Sequence, residues 1–136
     1  MPNPIFLASS PGSLPVFSIS VEMSFQASHQ LALPDGSKEP THTHNWSVTA
    51  QVAAKELDDM GVVMDFHELR AQLAAIIAPF ENTQLDALDY FGQNNPSAEN
   101  VAKYIYEKIG VKLPQHVNIK SVKVGEEQGC RAEYTE

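Results

Sequence analysis

Between Val16 and Phe25 the apolar residues fall on every second position. Phe17, Ile19, Val21, Met23 and Phe25 alternate with Ser18, Ser20, Glu22 and Ser24. Successive side chains of a strand point to opposite faces, so this run predicts a strand with one face buried. A second run, Asn45 to Ala54, sets Trp46, Val48 and Ala50 against Ser47, Thr49 and Gln51. The stretch between them holds Leu33-Pro34-Asp35-Gly36-Ser37, a turn by its chemistry: proline presets φ, aspartate bonds to nearby backbone, and glycine accepts positive φ. The two strands therefore pair antiparallel across a long loop carrying Lys38 and Glu39. A sheet with one apolar face must be covered, and the rest of the chain has to supply the cover.

Two helices follow. Asp65 reads as an N-cap with Glu68 completing a capping box, and Met64 with Leu69 as the hydrophobic staple. Phe66, Leu69, Leu73, Ile76 and Ile77 recur at helical spacing, so this helix runs to about Ala78, where Pro79 stops it. Residues 80–94 read as irregular. Asn95 and Pro96 then read as cap and first residue of a second helix, with Ala98, Val101, Ile105 and Ile109 as its stripe and Gly110 as its C-terminal cap. Val117 to Val124 gives a third strand whose buried face the alternation does not resolve, and Arg131 to Thr135 a short final one. The order predicts an α+β fold: a four-stranded antiparallel sheet with both helices on one face, ββααββ.

The 136 residues fit a single domain over 16–136. The segment before it, residues 1–15, has no Lys or Arg, and Pro4, Pro11 and Pro15 break its apolar run. It is expected to be a flexible N-terminal arm, with neither the charge of a secretory signal nor the length of a membrane span. A net charge of −8 argues against nucleic acid, because phosphate binding wants a basic face. The single cysteine, Cys130, excludes an internal disulfide framework and suits a reducing compartment, so the expected location is cytoplasmic, with no membrane partner.

Three of the five histidines cluster in the loop between the first two strands. His42 and His44, one residue apart in an extended chain, point the same way. His29, at the end of the neighbouring strand, could close a three-nitrogen site of the kind that holds zinc with a fourth position open. The competing reading is three incidental loop histidines, and spacing alone does not choose between them. His67, in a first helical turn, reads as solvent-facing, and His116 as a loop residue without an evident partner.

With the order of elements in place, five motifs resemble the 6-pyruvoyltetrahydropterin synthase family, which includes the bacterial 6-carboxytetrahydropterin synthases. They are F-Q-A-S-H ending at His29, H-T-H-N-W from His42, G-V-V-M-D-F-H-E-L from Gly61, N-P-S-A-E-N from Asn95, and Glu126 followed by Tyr134 in A-E-Y. The resemblance implies a tunnelling fold, in which sheets of three subunits join edge to edge into a barrel and two trimers stack as a hexamer. It implies a lyase with Zn²⁺ on His29, His42 and His44, a 7,8-dihydroneopterin triphosphate substrate, and Glu126 as the acceptor of the pterin's N–H edge. Glu99 has two readings of equal weight, a second pterin contact or a first-turn acid complementing the helix dipole.

The departures are as informative. The loop before the histidine pair, Gly36 to Thr41, lacks the family's cysteine, and Cys130, in the C-terminal segment, does not match that motif position and is not carried over to its role. The family's D-H-x-x-L-N stretch reads Glu81-Asn82-Thr83-Gln84-Leu85-Asp86, so the general-base histidine has become an asparagine. Glu39, three residues before His42, stands where one branch of the family has a catalytic glutamate and cleaves the substrate's side chain to 6-hydroxymethyl-dihydropterin. The resulting expectation is a zinc-dependent pterin lyase with altered acid–base residues and Glu39 as its base. The alternatives are a non-catalytic zinc- and pterin-binding homologue, or a same-fold enzyme acting on another purine-like substrate.

Overall fold

The computed structural model describes residues 16–136. The expected arm over residues 1–15 lies outside the described residues. Strand β1 runs Phe17–His29 and β2 His42–Ala54, and they pair antiparallel in continuous register from Phe17 opposite Ala54 to His29 opposite His42. Both strands are longer than the alternation suggested. The apolar-inward phase continues through Ala27 to His29 on β1 and begins at His42 on β2, so the histidines belong to the ladder itself. A polar side chain at an inward position masks the pattern, which is why the sequence placed the strand ends early.

Helix α1, Phe66–Ile77, lies on β1. Its cap is Asp65, whose Oδ1 accepts from the His67 N–H at 2.8 Å. Leu69, Leu73 and Ile77 face the sheet while Phe66 stays exposed. Removing a leucine such as Leu69 from water contributes about 1.5–3 kcal/mol. Helix α3, Ala98–Gly110, covers β4 (Asn118–Glu127) and β5 (Cys130–Tyr134) and packs against α1. Its cap is Ser97, whose hydroxyl accepts from Asn100 at 3.1 Å. The expected start at Asn95 and Pro96 is thus two residues early: Pro96 is buried before the cap, and Asn95 holds Ala32 through both its amide atoms, at 2.8 and 3.1 Å. Gly110 is the last helical residue, with Val111 as cap in a right-handed conformation.

The expected four-stranded antiparallel sheet is a five-stranded mixed one, ordered β3-β1-β2-β4-β5. Residues 80–94 account for the difference: they hold short 3₁₀ turns, the two-residue strand β3 (Thr83–Gln84) and the short helix α2 (Asp89–Gln93). β3 adds to the free edge of β1 in parallel, Ala27 opposite Thr83 and Ser28 opposite Gln84. Just before it, Glu81 Oε2 accepts from the Gln26 N–H and the Asn82 N–H donates to the Gln26 carbonyl, both at 2.6 Å. Asn82 makes this turn at φ 55°, a left-handed conformation asparagine tolerates better than most residues. Such a short strand has no periodicity to read.

The unresolved face of the third strand has a plain cause. Register between β2 and β4 shifts at Gln51/Val52, where Val52 pairs with Ile119 and Gln51 with Ser121, leaving Lys120 as the extra residue. A bulge of this kind resets the phase, so the inward set is Ile119, Val122 and Val124, which no strict alternation generates. Below the sheet face Trp46 is fully buried, stacked on Phe25 at 5.8 Å, with its indole N–H donating to the Ala27 carbonyl at 3.1 Å. Among the described residues no helix is long and apolar enough to cross a membrane.

Candidate metal centre and active site

The end of the β1–β2 ladder where the sheet core stops is also where the histidines collect. His29 follows Ala27 on the inward face, and His42 and His44 precede Trp46 on the same face of β2. The His29 ring sits edge-on to Trp46 at 5.0 Å and is buried. Its Nδ1 lies 2.8 Å from the Pro96 carbonyl. A carbonyl can only accept, so Nδ1 carries the hydrogen and Nε2 is left facing the centre. This is how metal-binding imidazoles are commonly fixed, one nitrogen tied to a backbone acceptor and the other free to ligate.

β4 brings the acid. Register between β4 and β5 shifts between Gly125 and Glu127, so Glu126 is the bulged residue, left unpaired and aimed inward. Its Oε1 lies 2.6 Å from His29 Nε2 and 3.6 Å from His44 Nε2. Gly125 next to it faces Ser47 across the strand pair, and a Cβ there would make the Ser47 hydroxyl, 2.5 Å away, turn aside.

Of the expected site residues, the fold gathers His29, His44 and Glu126, each offering a ligand atom within 4.8 Å of the others. His42 flanks them, its ring centroid 6.0 Å from those of both His29 and His44. Its side chain is 46% exposed, and its Nε2 lies 3.8 Å from Glu39 Oε1. Glu39 is held from behind: its Oε1 accepts from the Leu31 N–H at 3.2 Å, and its own N–H donates to the Leu31 carbonyl at 3.0 Å. Glu99 is exposed in the first turn of α3. His67 is exposed, as expected, whereas His116 does have a partner, its Nε2 lying 3.1 Å from the Val63 carbonyl.

The donor set suits a cation. With His29 Nδ1 on the Pro96 carbonyl, its Nε2 faces Glu126 Oε1 at 2.6 Å, a separation that one proton spans, and His44 Nε2 stands 3.6 Å from the same oxygen, so two imidazole nitrogens and a carboxylate converge. Nitrogen and carboxylate ligands together are what Zn²⁺ takes.

The model of the 6-pyruvoyl tetrahydropterin synthase family matches residues 18–136. The chain belongs to that family. Its members are pterin-processing lyases. A 6-carboxy-5,6,7,8-tetrahydropterin synthase of Synechocystis is 33% identical over 95 residues, covering 65% of this chain and 70% of the relative. Human 6-pyruvoyl tetrahydrobiopterin synthase is 32% identical over 122 residues, covering 79% and 83%. A dihydroneopterin monophosphate aldolase of Pyrococcus furiosus is 27% identical over 113 residues, covering 82% and 92%. The same fold is seen in 6-pyruvoyl tetrahydropterin synthase of Caenorhabditis elegans, with TM-score 0.77, 19% identity and coverage of 90% and 97%. A Plasmodium vivax 6-pyruvoyltetrahydropterin synthase with its catalytic glutamate replaced by alanine follows at TM-score 0.72 and 15% identity, covering 90% and 98%.

Sequence reasoning missed three contributors to this site. Pro96 acts through a backbone carbonyl, which leaves no side-chain signature. Gly125 matters because of Ser47 across the strand, a pairing invisible before register is known. Asp86 had been placed only as the end of a departed motif. It accepts from the Gln30 N–H at 3.2 Å and from Gln84 Nε2 at 3.0 Å, and it pairs with Lys38 at 3.7 Å. Lys38 therefore turns toward Asp86, not toward its neighbour Glu39.

Proposed function

We propose that this member of the family is a zinc-dependent lyase acting on 7,8-dihydroneopterin triphosphate or a related pterin, with Glu39 as its general base. The observation that carries the reading is the placement of Glu39 Oε1, 3.2 Å from the Leu31 N–H and 3.8 Å from His42 Nε2, on the rim of the imidazole cluster. The Pyrococcus furiosus relative, a dihydroneopterin monophosphate aldolase, and the Plasmodium vivax enzyme with its catalytic glutamate both support it.

His29, His42 and His44 would hold the zinc, with His29 oriented by Pro96. Bound there, zinc supplies Lewis-acid polarisation of a substrate hydroxyl. Glu126 accepts the two N–H groups along the pterin edge, a match of the kind carboxylates make with guanidinium. Glu99 stands as a second, weaker pterin contact. Glu39 takes the proton from the hydroxyl on the second side-chain carbon. The bond between the first and second carbons then breaks, its electron pair passing into the C6–N5 imine of the ring. Return of the proton to the first carbon leaves 6-hydroxymethyl-dihydropterin and an aldehyde.

The ordinary synthase proton relay has no histidine here: Asn82 stands in its place and cannot exchange a proton near neutral pH, and Glu81 Oε2 accepts from the Gln26 N–H. That same observation favours a second reading, a zinc- and pterin-binding protein without turnover. The open edges at β3 and β5 support assembly of three copies into a barrel, alone or as a dimer of trimers, since unpaired strand edges are otherwise a liability. The test is to incubate the zinc-loaded protein with dihydroneopterin and its phosphate esters and identify products by mass spectrometry. 6-Hydroxymethyl-dihydropterin is the expected product. Unchanged substrate with retained binding selects the second reading.

A further inference from the structure

Glu39 stands at the foot of a hairpin whose residues 32–38 are all exposed, so no buried apolar side chain anchors the turn to the body of the fold. Across the foot, the Leu31 N–H donates to Glu39 Oε1 at 3.2 Å and the Glu39 N–H donates to the Leu31 carbonyl at 3.0 Å. Those two bonds lie inside the hairpin and move with it. The bonds that leave it set where Glu39 stands, 3.8 Å from His42 Nε2.

Asn95 holds Ala32, and Lys38 pairs with Asp86 at 3.7 Å, a weak tie because the lysine is exposed. Among the described residues, the hydrogen bond that reaches Glu39 from outside the hairpin comes from Gln30. Its Nε2 donates to the Glu39 carbonyl at 3.1 Å. Gln30 is itself held at both ends. Its N–H donates to Asp86 Oδ1 at 3.2 Å, and its Oε1 accepts from Gln84 Nε2 at 3.3 Å. The same Gln84 amide donates to Asp86 Oδ2 at 3.0 Å. β3 delivers this support by setting Gln84 opposite Ser28 on the edge of β1.

The direction of the chain is forced. An ionised carboxylate and a backbone carbonyl can only accept, so Asp86 at one end and the Glu39 carbonyl at the other fix which way both glutamine amides face. Building on the reading of Glu39 as general base, we infer that Gln30, locked by Asp86 and Gln84, is its positioning residue. A base displaced by about 1 Å costs on the order of 10²-fold in rate, so a bond that fixes its main chain bears on kcat.

The test is Gln30→Met, which keeps the length of the side chain and removes the amide. With zinc-loaded protein and dihydroneopterin, kcat should fall about 10–100-fold while KM and zinc content stay unchanged. In a Glu39→Gln background the same change should cost less than about twofold, because its effect passes through the base. Amide hydrogen exchange, read by NMR without zinc or substrate, should speed about tenfold at Leu31 and Glu39 and stay the same at the buried Val48. An unchanged kcat, unchanged exchange at Leu31 and Glu39, or a full loss repeated in the Glu39→Gln background overturns the role of Gln30 and leaves the lyase reading standing. No turnover by the wild type, or full turnover by Glu39→Gln, overturns both.

Discussion

The His29 imidazole and the Pro96 carbonyl are joined at 2.8 Å across the join between the sheet and the loop before α3. One ring nitrogen is thereby committed to the backbone and the other is presented to His44 and Glu126. The bond ties the orientation of the His29 ring to the placement of a residue 67 positions away in sequence.

Zinc stoichiometry separates the two ligand sets the site offers, three histidines or His29, His44 and Glu126. With three histidines as ligands, His29→Ala, His42→Ala and His44→Ala should each weaken zinc by more than about 100-fold in chelator competition. Glu126→Gln should keep one zinc per chain and lose pterin affinity. If Glu126→Gln sheds the metal while His42→Ala keeps it, the carboxylate is the third ligand.

Glu39→Gln preserves the shape and the Leu31 hydrogen-bond acceptor but cannot take a proton. The expected result is a fall in kcat of roughly 10²–10⁴-fold with zinc content intact. A variant that turns over pterin at the wild-type rate would remove Glu39 from the mechanism.

Gly125 lies opposite Ser47 on β2 and directly precedes the bulged Glu126. Gly125→Ala forces the Ser47 hydroxyl into another rotamer and should destabilise the protein by about 0.5–1.5 kcal/mol in urea unfolding. It should also weaken pterin binding. Adding Ser47→Ala, which removes the oxygen 2.5 Å from the new Cβ, should restore both.

Tyr134 donates its hydroxyl to the Glu136 carboxylate at 2.7 Å, and this bond, with burial and neighbouring negative charge, pushes its pKa up from 10.0 to about 12. The folded value lies above the unfolded one, so the contribution is complete below the unfolded pKa near 10 and lost as pH rises through about 12. An alkaline titration followed by tyrosinate absorbance should show a late transition near that value. Tyr134→Phe should remove it.

Much of this was legible in the chain. The two alternating runs, the Asp65 cap and the apolar stripes of α1 and α3 are local signals, each set by backbone geometry over a few residues. The histidine pair and its partner on β1 were legible for the same reason, since period-two geometry fixes which residues share a face. The exact start of α3 was not, because Asn95, an attractive cap in isolation, is occupied by Ala32 from a distant loop.

The sequence by itself determined a sheet with one apolar face, two covering helices, and imidazoles at one end of the first strand pair. Tertiary structure alone decided how that end is furnished. The bulges at Lys120 and Glu126 depend on which strand lies alongside, and no single strand carries that information. The parallel edge strand β3, the Pro96 carbonyl on His29 and the Lys38–Asp86 pair join residues dozens of positions apart. Their geometry exists only once the chain between them has folded, so the residue types of the candidate site were readable early and their arrangement was not.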